Sequence, residues 1–484
     1  MSTNSERLCA ATGPATQHAR ALYDVARTRQ MESSSPESAD GKTLMQTAGL
    51  ALARLTLAVV PHAKLIWVAC GPGNNGGDGM EAATHLQSWG KQVVVSHTHN
   101  PDQSPADARQ AWAAAKTAGV QFAQEVPSQF DACIDALFGI GALRPMGAQY
   151  ADWVMRMNAS PATTIAVDVP SGLQADTGEV SEVHVVANYT LSLLTLKPGL
   201  FTGSGRDACG EIWFNDLGVR SDAPPRAILT QTPAKQPRPQ SSHKGSYGDV
   251  CIVGGASGMS GAVLLAARSA LHGGAGRVFA CLLGAQEMAL DPLMPELMFR
   301  SFDTLDCRGM AVVAGCGGGE AIAAFLPQLL RDAKCLVLDA DALNRIAEDP
   351  ALQALLTHRT AGSTVLTPHP LEAARLLQCS VVQIQANRLA AAQTLADRYQ
   401  CVVVLKGSGS VITAPHEIPR INPTGNAKLA TAGTGDVLAG LVGAYMSSGQ
   451  TALNAAYAAV YRHGLAADRW QGTVLNASAL CQWD

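Results

Sequence analysis

Charge is scarce in this sequence, and neither sign is in excess. Only 15% of the 484 residues are charged; 35 Lys and Arg stand against 39 Asp and Glu, a net charge of -4. Such a balance removes the electrostatic footprint of a nucleic-acid or anionic-membrane surface. Paired cysteines are also missing. The twelve are scattered singly with no Cys-x-x-Cys, and Cys133, Cys251, Cys335 and Cys401 fall in apolar, strand-like runs. This excludes a disulfide frame or a zinc site and predicts buried, reduced thiols in a cytosolic protein. No apolar run is long enough to span a bilayer: the most apolar stretch, around residues 49 to 70, is broken by Arg54, His62 and Lys64. The N-terminus shows no basic region followed by an apolar core, so neither a membrane span nor a signal peptide is expected. What is plentiful is hydrophobic residues, at 47%, and glycine, with 46. Together they describe compact α/β material with many tight turns and exclude disorder as the main theme.

A chain of this length exceeds a usual single core, so two domains are expected. Between Leu217 and Ser242 the pattern dissolves into Pro224-Pro225, Pro233, Pro237 and Pro239 among polar residues. Residues 221–242 are the predicted linker between two near-equal halves. In the first half, β-rich runs recur at 65–70, 92–96, 132–138, 163–168, 189–193 and 211–214, with helix-length segments between several of them. The second half shows the same rhythm at 250–253, 277–280, 310–314, 334–338, 364–366, 402–405 and 411–413, without repeating the sequence. Two different, mostly parallel α/β domains in tandem follow. Residues 1–20 and 32–41 read as polar and loose, and 21–30 as a short helix.

The most chemical stretch is Asn422 to Gly440, whose centre is Gly433-Thr434-Gly435-Asp436. Its glycines let backbone approach an anion, a helix starting near Gly435 would aim its first amides there, and Asp436 would stand beside the anion to take a proton. A bare Gly-Thr-Gly-Asp is as readily a capped helix start. Its context argues otherwise, because every strand end in this half carries glycine or a reactive polar group: Gly254 to Gly261, Gly315 to Gly319, Asp339 to Asn344, Thr367-Pro368-His369-Pro370 and Lys406 to Ser410. In an open parallel sheet these ends converge on one crevice. Asp339 and Asp341 read equally as strand-end caps or as water-mediated holders of magnesium.

From His243 onward, His243-Lys244-Gly245-Ser246-Tyr247-Gly248, Leu338 to Asn344, Leu366-Thr367-Pro368-His369-Pro370 and Gly433-Thr434-Gly435-Asp436 resemble the ADP/ATP-dependent NAD(P)H-hydrate dehydratases. The resemblance implies a ribokinase-like α/β sandwich over residues 243–484. It also implies that a nucleotide phosphorylates the hydroxyl of the hydrated nicotinamide ring, after which phosphate departs. By the same resemblance Lys406, Gly407, Ser408, Gly409, Ser410 and Gly435 would hold ADP or ATP. Ala262, Gly317, His369 and Asp436 would face the hydrate, with Asp436 as base, and Mg2+ would accompany the nucleotide. The family usually shows Gly-Pro-Gly-Leu-Gly where this chain has Gly315-Cys316-Gly317-Gly318-Gly319, a change expected to loosen that loop.

In the first half, the run at 65–70 leads into Gly71-Pro72-Gly73-Asn74-Asn75-Gly76-Gly77-Asp78-Gly79-Met80 and then a helical pattern. This is a phosphate cradle distinct from the dinucleotide fingerprint and the P-loop. Asn74 and Asn75 add amides that suit a sugar, an amide or a monovalent cation. Two further strand ends carry Asp135, before Gly139 to Pro145, and Asp168, before Val169-Pro170-Ser171-Gly172. Caps or an acid/base site on one rim are both open. These three loops resemble the NAD(P)H-hydrate epimerases, a Rossmann-like doubly wound fold, over roughly residues 20–220 of an expected domain 1–220. That implies inversion at the hydrated ring carbon, with Asn74, Asn75, Gly76, Gly77, Asp78, Gly139, Ile140, Gly141, Ala142, Leu143, Arg144, Pro145 and Asp168 on the hydrate. Asp168 would shuttle the proton, and Asn75, Asp135 and Ser171 would give oxygens to K+.

Together the halves imply a bifunctional, multifunctional-type repair enzyme, lyase and isomerase, that acts on NADH and NADPH hydrates with ADP. A cytoplasmic homo-oligomer with small-molecule substrates and no nucleic-acid or membrane partner is expected. The rival is a ribokinase-like kinase of a small alcohol or vitamin precursor with a non-catalytic N-terminal binding domain, since the same loop serves that fold.

Overall fold

The alternation along a single strand shows how the first half is covered on both sides. Of Leu65–Cys70, residues Ile66, Val68 and Cys70 enter one buried cluster while Trp67 and Ala69 enter another, as a two-residue period on a doubly covered sheet requires. In this computed structural model residues 6–7, 21–34, 42–141, 145–219, 222–234, 237–284 and 288–482 are described. The chain divides into two compact units, Met1–Ile228 and Leu229–Asp484.

The strands of the first unit are β1 (Glu6–Arg7), β2 (Ala21–Leu22), β3 (Leu65–Cys70), β4 (Gln92–Ser96), β5 (Gln121–Ala123), β6 (Ala132–Ala136), β7 (Thr163–Val167), β8 (Tyr189–Leu193) and β9 (Glu211–Asn215). Eight of them form one sheet in the order β1-β9-β8-β7-β6-β3-β4-β5, parallel except for β1 against β9. The chain runs outward from β3 to β5 and returns to place β6 beside β3. The loops after β3 and β6 therefore part at the point where ligands bind in such sheets. Helices Leu44–Val59, Asn74–Ser88 and Ala106–Thr117 bury one face, and Ala148–Ala159 contributes Trp153, Val154 and Met157 to the other. The helix expected at 21–30 lies at Val25–Ser34, after β2.

The predicted linker contains a strand, β10 (Ala227–Leu229), which pairs antiparallel with β2 through Ala227 and Leu22. The second unit continues with β11 (Asp249–Gly254), β12 (Arg277–Leu282), β13 (Met298–Phe299), β14 (Ala311–Ala314), β15 (Cys335–Leu338), β16 (Thr364–Leu366), β17 (Val402–Leu405), β18 (Val411–Thr413) and β19 (Arg420–Ile421). Their order is β13-β12-β11-β14-β15-β16-β17-β18-β19, parallel up to β17 and antiparallel beyond. The reversal here lies between β11 and β14. Val250, Ile252, Val313 and Val337 share a buried cluster with helices Ser260–His272, Thr434–Ser447 and Ala452–Arg469. The α/β class and tandem parallel sheets agree with the sequence. All eleven described cysteines are free thiols, and no helix among the described residues is long and apolar enough to cross a membrane.

Candidate functional site

In the first unit the loops after β3 and β6 open onto a cavity of about 880 Å³. Asn74, Asn75, Asp78, Gly139, Ile140, Gly141, Pro145 and Asp168 line it, and helix Val25–Ser34 adds Thr28, Arg29, Glu32 and Ser33. The Asn-Asn-Gly-Gly-Asp motif is not a loop before the helix but the helix's first turns, capped by Gly73. Gly76 and Gly77 consequently lie buried below the rim instead of lining it. A Cβ on Gly76 would stand 2.0 Å from the Gly71 carbonyl oxygen, so only glycine lets this helix start against that loop. Ala142, Leu143 and Arg144 lie outside the described residues.

Strand β7 ends one residue earlier than its pattern suggests because Asp168 adopts φ +65°. That left-handed turn at a non-glycine residue is sterically unfavourable and is characteristic of sites where a side chain must be aimed. Asp168 Oδ1 accepts from the backbone N–H of Leu193 (3.1 Å) and from the ammonium of Lys197. Lys197 is fully buried and also donates to the Leu193 carbonyl (2.8 Å). The sequence signal for this lysine was available: it is the only charge in the run Tyr189 to Phe201.

Beside the cavity, Asp135 is sealed from solvent and accepts three hydrogen bonds. Ser171 Oγ (2.6 Å) and the Leu137 N–H (3.2 Å) donate to Oδ1, and the Ser171 N–H (2.7 Å) donates to Oδ2. Burial raises its pKa to about 6 in spite of these donors. Asn75 Oδ1 lies 3.0 Å from where a Cβ of Gly139 would be, and its buried Nδ2 has no partner among the described residues. The side chains of Asn75, Asp135 and Ser171 all offer oxygen, a donor set that fits a hard monovalent cation.

In the second unit the expected residues form a connected chain. Lys406, at the end of β17, donates to Asp339 Oδ1 (2.6 Å) and lies 4.0 Å from Glu372 Oε2. His369 caps helix Pro370–Leu377: its Nδ1 accepts from the N–H groups of Leu371 (3.1 Å) and Glu372 (3.3 Å). Glu372 returns the contact by accepting the His369 N–H (2.7 Å). With Nδ1 accepting, the proton sits on Nε2, 3.2 Å from Glu372 Oε1. The capping box names Glu372, three residues after His369, as a site member that the motif reading left out.

Asp436 occupies the first turn of helix Thr434–Ser447, whose cap Gly433 has φ +87°. A Cβ on Gly435 would lie 3.3 Å from Lys406 Nζ and 3.7 Å from Asp339 Oδ2, which places the helix start directly over the ion pair. Burial first, then the Asp339 charge, lifts the Asp436 carboxyl to about 7, while the Cys316 hydrogen bond and Lys406 oppose the rise. Cys316 Sγ and the carboxylates of Asp339 and Asp436 lie within 4.8 Å of one another. Burial and those two carboxylates hold the Cys316 thiol far above its ordinary value, so it remains a neutral S–H.

The Gly315 to Gly319 loop, expected to be loose, is tied down. Gly255 N–H donates to Cys316 O (3.0 Å), Ala256 N–H to Gly317 O (2.7 Å), and Gly319 N–H to Asp341 Oδ2 (2.8 Å). Asp341 is thus a loop tether. Gly317 packs on Ala262, where an added Cβ would come 3.0 Å from the Ala262 Cβ. The loop after Lys406 turns through Gly407 (φ +138°) and Gly409 (φ +62°), with Ser410 Oγ donating to Gly407 O (3.2 Å). Arg388, almost wholly buried and absent from the sequence reading, donates to the carbonyls of Leu405 (3.2 Å) and Lys406 (3.1 Å) and so supports this loop from below.

Family models match both halves: residues 250–481 match "NAD(P)H-hydrate dehydratase" and residues 41–199 match "YjeF-related protein N-terminus". A bifunctional NAD(P)H-hydrate repair enzyme of Coxiella burnetii is 34% identical over 469 residues, covering 93% of this chain and 94% of the relative. The Escherichia coli enzyme of the same description is 35% identical, covering 88% and 84%. Among solved structures, an ADP/ATP-dependent NAD(P)H-hydrate dehydratase from Bacillus subtilis, co-crystallised with ATP and Mg2+, is 29% identical with a TM-score of 0.42, covering 51% of this chain and 90% of that one.

Proposed function

Since the chain belongs to the bifunctional NAD(P)H-hydrate repair enzymes, matched along nearly its whole length, we propose that it returns hydrated NADH and NADPH to use through two sites. The N-terminal domain (1–220) interconverts the R and S hydrates. Beyond the 221–242 segment, the C-terminal domain (243–484) dehydrates the S form with ADP, giving AMP and phosphate. The observation that carries this reading is that each unit sets a carboxylate among glycine loops: Asp168 in the wall of the first unit's cavity, and Asp436 beside Gly435, which stands over the Lys406–Asp339 pair of the second.

In the dehydratase, Asp436 takes the proton of the ring hydroxyl as that oxygen attacks the terminal phosphorus of the nucleotide, and the bond to the AMP oxygen breaks. Loss of phosphate from the ring carbon, with a proton leaving the neighbouring carbon, restores the double bond. Lys406 and the amides around Gly435 stabilise charge that builds on the phosphoryl group. Lys406, Gly407, Ser408, Gly409, Ser410 and Gly435 hold the nucleotide, and Ala262, Gly317, His369 and Asp436 hold the hydrate. Asp339 would help hold Mg2+ through water, and the ion would supply positive charge to offset the phosphates.

In the epimerase, Asn74, Asn75, Asp78, Gly139 to Pro145 and Asp168 receive the hydrate, with Gly76 and Gly77 behind them letting the helix start close to the loop, and Asn75, Asp135 and Ser171 would hold K+. The free thiols support a reducing, cytosolic setting, and the Ala-rich helices support a homo-oligomer. The kinase reading leaves the first unit's cavity without a use.

Recovery of absorbance at 340 nm, the dihydronicotinamide band, from a mixture of both hydrates with ADP, with ATP or with neither tests the proposal. Complete recovery that depends on a nucleotide is expected. Consumption of ATP on a small alcohol, with no recovery, would sink it.

A further inference from the structure

Lys197 has no part in the reading above, and Asp78 figures there only as a contact. A lysine sealed in an apolar run is costly unless its charge is used. Lys197 reaches three acceptors: Asp168 Oδ1, the Leu193 carbonyl (2.8 Å) and Ser192 Oγ (3.4 Å). Burial lowers the Lys197 pKa and the Asp168 charge opposes, while the three acceptors fix the position of Nζ. Among the described residues, both donors to Asp168 land on Oδ1, and no hydrogen bond reaches Oδ2.

Asp78 is in the opposite condition. It stands in the same cavity wall, and no donor among the described residues reaches its carboxyl. Burial, then the charges of Asp168, Glu32 and Glu81, push its pKa far above the usual carboxylate range, with only Lys197 opposing. One cavity therefore holds a carboxyl clamped by a cation and another starved of donors, the unlike pair that acid-base chemistry requires.

We propose that Asp168 is the base and Asp78 the acid of the epimerisation, and that Lys197 is the positioning residue that orients the Asp168 carboxyl. This rests on the epimerase reading of the first unit. The hydrated carbon lies next to the ring nitrogen, so its hydroxyl can open the ring as a hemiaminal does. Asp168 takes the hydroxyl proton, the O–H pair becomes the second bond of a carbonyl, and the C–N bond breaks with its pair left on nitrogen. Asp78 supplies the proton that nitrogen needs. Rotation about the adjoining C–C bond presents the other carbonyl face. The steps then reverse: nitrogen attacks, Asp78 regains its proton, and Asp168 returns its proton to the oxygen. Both carboxyls finish as they began, and only the configuration has changed.

The experiment follows one purified hydrate epimer converting to the other by chromatography, without nucleotide, in the full-length protein. Asp78→Asn is expected to lower turnover about 10²- to 10⁴-fold with KM changed only a few-fold. Lys197→Met should lower kcat with KM changed only a few-fold, the split expected of a residue that aims the base. The double variant Asp168→Asn/Lys197→Met should be no slower than Asp168→Asn alone, because Lys197 acts through Asp168. Wild-type turnover in Asp78→Asn, or losses at 168 and 197 that multiply, would overturn the proposal. Should Lys197→Met fail to fold, the near-isosteric Asp78→Asn decides alone. A wild-type protein that does not interconvert the epimers would overturn the epimerase reading itself, a separate result.

Discussion

At the scale of single residues, the dehydratase site is governed by how its carboxyls are distributed around one ammonium. Lys406 is drawn to Asp339 and Glu372, whose charges outweigh the burial that would otherwise lower its pKa, and Asp436 is left at about 7. A base must be ionised to accept a proton, so the dehydration rate should fall as pH drops through about 7, approaching tenfold per unit on the acid side. A pH-rate profile of 340-nm recovery with pure S hydrate checks this. Asp436→Asn should abolish recovery while epimerisation proceeds unchanged; simultaneous loss of both activities would contradict separate sites. Asp436, Lys406 and Asp168 were legible because their spacing within glycine loops is distinctive. Lys197, Glu372 and Arg388 were passed over: Lys197 is marked only as the one charge in an apolar run and Glu372 only by its spacing from His369, and the partners that give each its role lie far along the chain.

At the scale of elements, the start of the Asp436 helix depends on a neighbour. His463, on helix Ala452–Arg469, donates from Nε2 to the Thr434 carbonyl (2.9 Å). Burial lowers its pKa from 6.5 to about 4. Above pH 7 the imidazole is neutral in folded and unfolded chains alike. Between about 6.5 and 4 the unfolded chain takes up a proton that the folded one refuses. Stability therefore drops as pH falls, on the order of 1.4 kcal/mol per pH unit from this group. The difference in urea stability between wild type and His463→Gln, which cancels the opposite contribution of the raised Asp436 carboxyl, should follow that slope between about pH 6.5 and 4; a difference that does not change with pH would remove His463 as its cause. Strands β3, β4, β7 and β8 were foreseen because buried parallel strands are near-continuous apolar runs. Strands β5 and β10 have three residues each, too few to show a period. The helix at Asn74 was placed too late because two asparagines and two glycines read locally as loop, and packing against the Gly71 loop overrides that preference.

At the scale of the whole molecule, two units with their own cores and their own sites account for the length of the chain. The parallel class was visible in the alternation of strands and helices, whereas the proline-rich segment concealed β10. The seal around Lys197 has a consequence outside catalysis. Amine-reactive reagents need a neutral, accessible amine, and Lys64, Lys116 and Lys334 are exposed whereas Lys197 has no exposed surface. In the native protein those three should acquire label at once and Lys197 only when its surroundings come apart. The mass shift of the peptide bearing Lys197, followed over hours by mass spectrometry, then times the opening of the first unit. Saturating the cavity with hydrate should slow it in proportion to occupancy.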